Sequence, residues 1–499
     1  MHPATAGRRE WLGLAVLMLP TILIAVDFNV LHLAVPALTR DLEPSASQLL
    51  WMVDVYGFFI AGSLITMGTL GDRIGRRRLL MIGAAAFSTS AEMLIAARGL
   101  LGVAGATLMP STLSLLRVMF PVPSQFSVAI GVWISGFSAG NAIGPLVGGA
   151  LLERFWWGSV FLVGVPVMVL LLVLAPRLLP EHRNPDAGHL DLVSAGMSLI
   201  AVLAVIYGIK RLAEDGLAWL PGLIIAAGLA VGVLFVRRQR TLDDPLIDLH
   251  LFADRMFTMA VATMTLGVFV EFAIMFFIAQ HLQLVLGLSP LRAGLWTIPG
   301  AAAFVVGSNL SPRIVLRIPV VALATTGWLV TAAGMTILSL VRADSNLTAV
   351  VIASVVMSIG LGLALPVVLE MVLRAAPPER AGAASALSET SQELGGAVGV
   401  GVLGSVAAAV YRAEIHDAVP AGVPTEAADD ARETLGGVVV AAEDLPDELA
   451  AQLLDVAREA FVQGLQVTAI IAAVLMAAIA LLTTLRLRRP TTGTSGACH

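Results

Sequence analysis

Seven ionisable side chains lie inside long apolar stretches of this chain: Asp27, Asp54, Arg98, Glu271, Glu370, Glu389 and Glu393. A charge placed in hydrocarbon costs at least about 2.5 kcal/mol on insertion scales, so a working role facing a polar interior is the first expectation. Asp27, Asp54 and Arg98 fall at similar depths in three separate stretches, about 13, 8 and 10 Å from one membrane face at the rise of an α-helix. An arginine there can neutralise a carboxylate and be released when that carboxylate takes a proton, which couples proton movement to a structural change. A static ion pair bracing the helices is the other reading. Glu389 and Glu393 stand four residues apart, on one face of a helix. Two carboxylates so close in a low dielectric cannot both ionise cheaply, so one is expected to hold a proton. The pair can therefore carry protons or form a negative site for a lipophilic cation. Glu271, beside Phe272, Phe276 and Phe277, joins a carboxylate to aromatic faces, which attracts cations by charge and by cation–π contact. Phenylalanines that merely pack are the alternative there. Glu370 stands four residues before Arg374 and reads as a surface pair. His32 and His281 read as satisfied histidines near helix ends.

The elements that must hold these groups follow from composition. Of 499 residues, 58% are hydrophobic and 13% charged, with mean hydropathy +0.89. Ordinary soluble domains carry about a quarter charged residues, so a soluble enzyme is excluded. Apolar runs repeatedly exceed the roughly 20 residues of a bilayer crossing, and the short alternating segments of a membrane β-barrel are absent. The expected spans are 11–36, 49–70, 79–116 as a hairpin of two, 125–152, 157–176, 192–209, 219–236, 256–284, 291–310, 318–340, 347–373, 382–411 and 464–485. That makes about 14 transmembrane helices. The third is abnormally short, because the Ser88-Thr89-Ser90 turn leaves it only about 13 Å at the α-helical rise. Arg8-Arg9 before the first span faintly suggests a signal segment, but the run is too long, carries Asp27, and is read as the first membrane helix. With the N-terminus inside, about 20 of the 30 basic residues fall on the inner side and 9 outside, while Arg98 lies within a helix. Both termini are then cytoplasmic. Trp51, Trp156, Trp157 and Trp219 sit at the outer interface as an aromatic belt would.

The energy source must be an ion gradient. The single lysine, Lys210, sits in no phosphate-binding loop, and no HExxH, cysteine–histidine cluster or GxSxG occurs. The single cysteine, Cys498, allows neither a disulfide framework nor a cysteine metal site. Each charge moved across 100 mV is worth about 2.3 kcal/mol, and buried ionisable groups are what could tap it. No enzymatic activity or cofactor is expected beyond the proton gradient.

Glycines mark two further features. Gly136, Gly140, Gly144-Pro145 and Gly148-Gly149 repeat at four-residue spacing and make a groove for close helix approach, while Pro145 bends its helix. The loop after the second span reads Gly68-Thr69-Leu70-Gly71-Asp72-Arg73-Ile74-Gly75-Arg76-Arg77-Arg78, with its glycines and aspartate set around a basic run. On these motifs the chain resembles the major facilitator superfamily, in its 14-helix drug:proton antiporter branch, which includes exporters of quaternary ammonium compounds and methyl viologen. The loop is similar to that family's GxLaDRxGRRxxL motif, Arg98 with Gly102 and Gly105 resembles its fourth-helix motif, and Gly140–Gly149 resembles its GxxxGPxxGG antiporter motif. The run from Asp27 to Pro36 is similar to the first-helix motif, with Asn29 and His32 as departures. Trp51-Met52-Val53-Asp54-Val55-Tyr56 and the Glu389/Glu393 pair also look like this branch, and Gly307–Arg317 looks like a decayed second copy of the loop.

The resemblance implies an all-α polytopic fold of two six-helix bundles with two extra helices between them: 1–190, 191–240, and 241–499 with a long outer loop at 412–463. It implies proton-coupled efflux of hydrophobic, often cationic drugs and dyes across the inner membrane. Asp27, Asp54, Arg98, Glu389 and Glu393 would couple protons. Glu271, Glu389, Glu393, Phe272, Trp296 and Tyr56 would bind substrate. Gly68, Asp72, Arg73, Gly75, Arg76 and Arg77 would gate the cytoplasmic side. The expected partners are small lipophilic or cationic molecules, protons and the bilayer, with no nucleic acid, and a monomer is expected. A dedicated exporter of one metabolite, or a transport-impaired paralogue or membrane sensor, remain the alternatives.

Overall fold

The computed structural model describes residues 6–42, 55–56, 59, 98–99, 102–103, 105–106, 112, 115–116, 118–180, 191–215, 219–242, 245, 249–343, 347–375, 381–416 and 418–487. Among them every regular element is helical. Helix α1 (Arg8–Leu42) is followed by α2 (Pro123–Arg154), the short α3 (Ser159–Leu162), α4 (Gly164–Leu178), α5 (Leu192–Asp215) and α6 (Trp219–Gln239). Then come α7 (Arg255–Gln280), α8 (Pro290–Ile314), α9 (Val320–Leu338), α10 (Leu347–Ala375), α11 (Ala381–Ile415), α12 (Thr425–Glu433), α13 (Leu435–Ala441) and α14 (Asp447–Leu487).

Among the described residues nine spans are long and apolar enough to cross a membrane, and shorter apolar helices run over Val128–Phe137 and Val193–Ile209. Every expected span from 125 onward coincides with one of these helices. The expected spans 49–70 and 79–116, including the short third helix, lie largely outside the described residues.

Among the described residues two large apolar cores stand out. One gathers Leu14, Leu17, Leu115, Phe120, Trp133, Leu171 and Leu179. The other runs from Leu251 to Ala480 and centres on α7, α9, α10 and α14, with Trp328 fully buried. In a bilayer, helices gain little by hiding apolar surface from lipid, so small residues that permit close backbone approach decide which helices touch. Thus a Cβ at Gly307 of α8 would stand 2.8 Å from the Ile359 carbonyl of α10, and one at Gly327 of α9 2.7 Å from the Gly360 carbonyl. Helices α5 and α6 meet in the same way at Gly208 and Gly228. Their ends are clipped by Asp191, which accepts hydrogen bonds from Arg238 at 2.9 Å and from the Ser194 hydroxyl at 2.6 Å. Arg238 and Ser194 hold the Asp191 carboxyl well below the usual carboxylate range. Ile209 of α5 reaches Gly401 of α11, so the α5–α6 pair rests on the C-terminal helices.

The segment 412–463 is not an open loop. Its apolar residues recur at helical spacing: Ala428 and Ala431 on α12, Leu435 and Val438 on α13, then Leu453, Ala457 and Ala460 on α14, all buried. That pattern continues α14 seventeen residues before the expected span at 464 and folds the segment into a helical cap. The Tyr411 hydroxyl donates to the Ala431 carbonyl at 2.8 Å and ties the cap to α11. Beneath it, α7 ends in a π-helical turn, His281–Val285, before Gly287 takes the left-handed conformation (φ +63°) that reverses the chain.

Candidate functional site

The best-defined part of the site is the ion pair that the first helix makes. Asp27 sits on α1 between Val26 and Val30, both buried against Val160 of α3. From the fourth expected span, Arg98 brings its Nη1 to 3.3 Å from Asp27 Oδ2. The arginine side chain is 1% exposed and the aspartate 20% exposed, so the cation is enclosed and the carboxylate only partly so. The guanidinium lies over the Tyr56 ring, 5.1 Å from its centroid, and 5.9 Å from that of Phe161 on α3. Glu393, on α11 of the C-terminal core, lies within electrostatic reach of the Tyr56 hydroxyl, as do Asp27 and Arg98. Of these groups, Arg98 is the one that lies over the Tyr56 ring.

On α11 the carboxylates at 389 and 393 occupy successive turns, as four-residue spacing demands. Glu389 is the more enclosed, 9% exposed, and Glu393 is half-buried. The facing helix is α7, and the two meet through glycines. A Cβ at Gly395 would stand 2.6 Å from the Thr265 carbonyl, and Gly399 lies directly against the Phe269 carbonyl. Phe272 lays its ring on Gly396, 3.0 Å from where a Cβ would be. Glu271, the neighbour of Phe272, is half-buried on α7. Phe277 turns elsewhere: it packs on Phe461 of α14 at 6.2 Å and belongs to the core.

Helix α2 carries the glycine series on two stripes. Gly136, Gly140 and Gly148, with buried Gly144 between them, face α1. A Cβ at Gly140 would lie 2.6 Å from the Ile22 carbonyl, and one at Gly148 2.7 Å from Val30. Pro145 and Gly149 fall one residue on, about 100° around a helix of 3.6 residues per turn, and face α8. There a Cβ at Gly149 would lie 2.9 Å from Leu291 Cα, and one at Gly294 2.7 Å from Pro145. One helix thus joins the two cores, at the end that the basic residues assign to the outside.

Several expectations fall elsewhere. Asp54, Gly68, Asp72, Arg73, Gly75, Arg76 and Arg77 lie outside the described residues. Trp296 is 44% exposed on α8 beside exposed Leu295, and no contact among the described residues joins it to the carboxylates. His281 corrects the reading of a satisfied interfacial histidine: it is fully buried and neither ring nitrogen has a hydrogen-bond partner among the described residues. The physical reason is the helical cap, which covers a helix end that was expected to meet water. Glu370 and Arg374 form the expected pair, both exposed. Phe161 was missed, because a phenylalanine in an apolar run carries no signal of what it faces.

A family model described as Major Facilitator Superfamily matches residues 17–400. The chain is 45% identical over 490 residues to the multidrug efflux pump LfrA of Mycolicibacterium smegmatis, covering 96% of this chain and 97% of the relative. It is 34% identical to the methyl viologen resistance protein SmvA of Salmonella typhimurium, with 91% and 93% covered. It is 32% identical to a tetracenomycin C resistance and export protein of Streptomyces glaucescens, with 96% and 93% covered. Among solved structures, an inward-facing bacterial homologue of the human lysosomal transporter Spinster superposes with a TM-score of 0.61 at 17% identity. That match covers 97% of this chain and 100% of the other.

Proposed function

Because the chain belongs to the Major Facilitator Superfamily, we propose that it exports hydrophobic, often cationic small molecules in exchange for protons. The substrate class comprises drugs, dyes and quaternary ammonium compounds. The observation that carries this reading is the Arg98–Asp27 pair at 3.3 Å, set within membrane-spanning helices with the arginine 1% exposed. Removing one partner of a buried pair strands the other at a cost of about 3–5 kcal/mol. A proton arriving on Asp27 does that to Arg98, so protonation biases the helices toward an arrangement in which Arg98 is neutralised differently. Tyr56, within reach of Glu393, provides the link to the second core. Glu389 and Glu393 supply the negative charge that draws in a lipophilic cation and is neutralised by protons when the cation leaves. Glu271, beside the Phe272 ring, extends that surface.

The working parts are then residues 1–190 and 241–499 as two bundles that rock about the central carboxylates, with 191–240 as an appended helix pair. Asp72 and its neighbouring arginines latch the cytoplasmic side. The protein works as a monomer in the inner membrane with both termini in the cytoplasm, and its partners are its substrates, protons and lipid.

The test is ethidium efflux from cells with and without a protonophore. Loss of efflux on adding the protonophore is expected; efflux that ignores it overturns proton coupling. Glu389→Gln and Glu393→Gln, made separately, are each expected to lower resistance to a quaternary ammonium compound at least several-fold. Unchanged resistance in both removes them from the mechanism.

A further inference from the structure

We infer that Phe161 is a positioning residue for the coupling pair, holding Arg98 in place during the half-cycle in which Asp27 is neutral; this rests on the proton-antiport reading above. The local backbone explains how the ring comes to be there. After α2 ends, Ser159, Val160 and Phe161 donate to the carbonyls of Trp156, Trp157 and Gly158 at 3.0, 3.3 and 3.2 Å, so this stretch winds as a tight three-residue turn. Val160 is buried against Val26 and Val30 of α1 and fixes the register of that turn. The next side chain, Phe161, is thereby brought beside the α1 segment that carries Asp27, with its ring centroid 5.9 Å from the Arg98 guanidinium carbon. Trp157 packs edge to face on Phe161 at 6.4 Å, and Trp156 does the same on Trp157 at 5.8 Å. The ring is therefore braced from the membrane-surface side.

Protonating the Asp27 carboxylate takes a full negative charge from beside an enclosed arginine, and the cation must either move or draw more stabilisation from its other neighbours. The aromatic faces of Phe161 and Tyr56 offer it, since cation–π attraction strengthens where water is excluded and does not depend on protonation state. Among the described residues, Tyr56 is the further titratable group against the pair, with the Arg98 guanidinium over its ring. Phe161, having no proton to exchange, holds the cation throughout. Its contribution is felt chiefly when Asp27 is neutral, so it lowers the barrier to loading the proton, while no contact among the described residues joins its ring to Glu271, Glu389 or Glu393.

The experiment uses the full chain in proteoliposomes with two readouts for the probe tetraphenylphosphonium: accumulation driven by an imposed pH gradient, and exchange of internal for external probe without a gradient. Phe161→Leu keeps an apolar side chain and removes the ring; Phe161→Tyr keeps the ring. The leucine variant is expected to lose gradient-driven accumulation by about two- to thirty-fold, the range set by one cation–π contact. Its gradient-free exchange should stay within about two-fold of the wild type, as should both activities of the tyrosine variant. If Phe161→Leu does not fold, Phe161→Met replaces it, because a flexible unbranched side chain fills irregular gaps. Accumulation by the leucine variant at the wild-type level, or equal loss of both readouts, overturns the assignment alone. A wild type that ignores the gradient overturns the antiport reading, and the assignment with it.

Discussion

On the proton-exchange reading, Arg98 and Asp27 form a pair that is both structural and mechanical. The arginine lies against two rings and a carboxylate, so replacing Asp27 removes a full negative charge from beside the cation. Asp27→Asn is expected to destabilise the protein by less than the roughly 3–5 kcal/mol of a fully buried pair, because Asp27 is 20% exposed and the pair is only partly enclosed. A fall in the thermal midpoint of the detergent-solubilised protein measures it, together with loss of gradient-driven transport. The double variant Asp27→Asn, Arg98→Gln should recover part of that midpoint without recovering transport. Recovery of neither would mean that the two residues do not act as a pair.

Helices are held together here by what they lack. Because the Gly140 position meets a backbone carbonyl of α1 at 2.6 Å, no rotamer change can make room for a side chain. Gly140→Leu is therefore expected to push α2 from α1 and to cost about 1–3 kcal/mol or more, the usual range for overpacking. Thermal denaturation reads this, and Gly131→Leu, where a Cβ meets nothing within 4 Å, is the control that should change little. The α5–α6 clip responds to pH in a definite direction. The folded-state affinity of Asp191 for a proton is lowered by Arg238 and Ser194 from an ordinary value of 3.8. Its stabilisation is therefore complete above about pH 4 and is lost as the pH falls further. Asp191→Asn should lower the midpoint at pH 7, and the gap from wild type should close progressively on acidification below pH 4. A gap that is constant with pH would mean that the carboxylate's charge is not what clips the helices.

For the whole molecule, the decisive contact is α2 against α8, where the two cores touch through Pro145, Gly149, Leu291 and Gly294. A motion that alternates access must open this seam. A Cβ at Gly149 would lie 2.9 Å from Leu291 Cα, so Gly149→Leu is expected to pry this seam apart and to lower dye efflux, with Gly131→Leu as the control. Wild-type efflux by the Gly149 variant would show that close approach at this seam is not needed for transport. The helical cap adds a second whole-molecule feature. Its segment 412–463 carries 12 acidic and 3 basic residues, and it covers the π turn where His281 is buried.

Fold class and the span positions from 125 onward could be read from residue order alone, because a bilayer leaves few choices: long apolar runs must be helices, and charges inside them stand out as candidates. The four-residue glycine series was visible for the same reason, since helical periodicity is a local property. Which helix each glycine faces was not local. That Gly140 meets α1 while Gly149 meets α8 depends on two neighbours far away in sequence. The cap was hidden by its acidic composition, although its buried positions repeat at helical spacing. Phe161 and His281 lay wholly beyond sequence reasoning. A ring in an apolar run and a histidine near a helix end acquire meaning only when tertiary packing places a cation beside one and closes water off from the other.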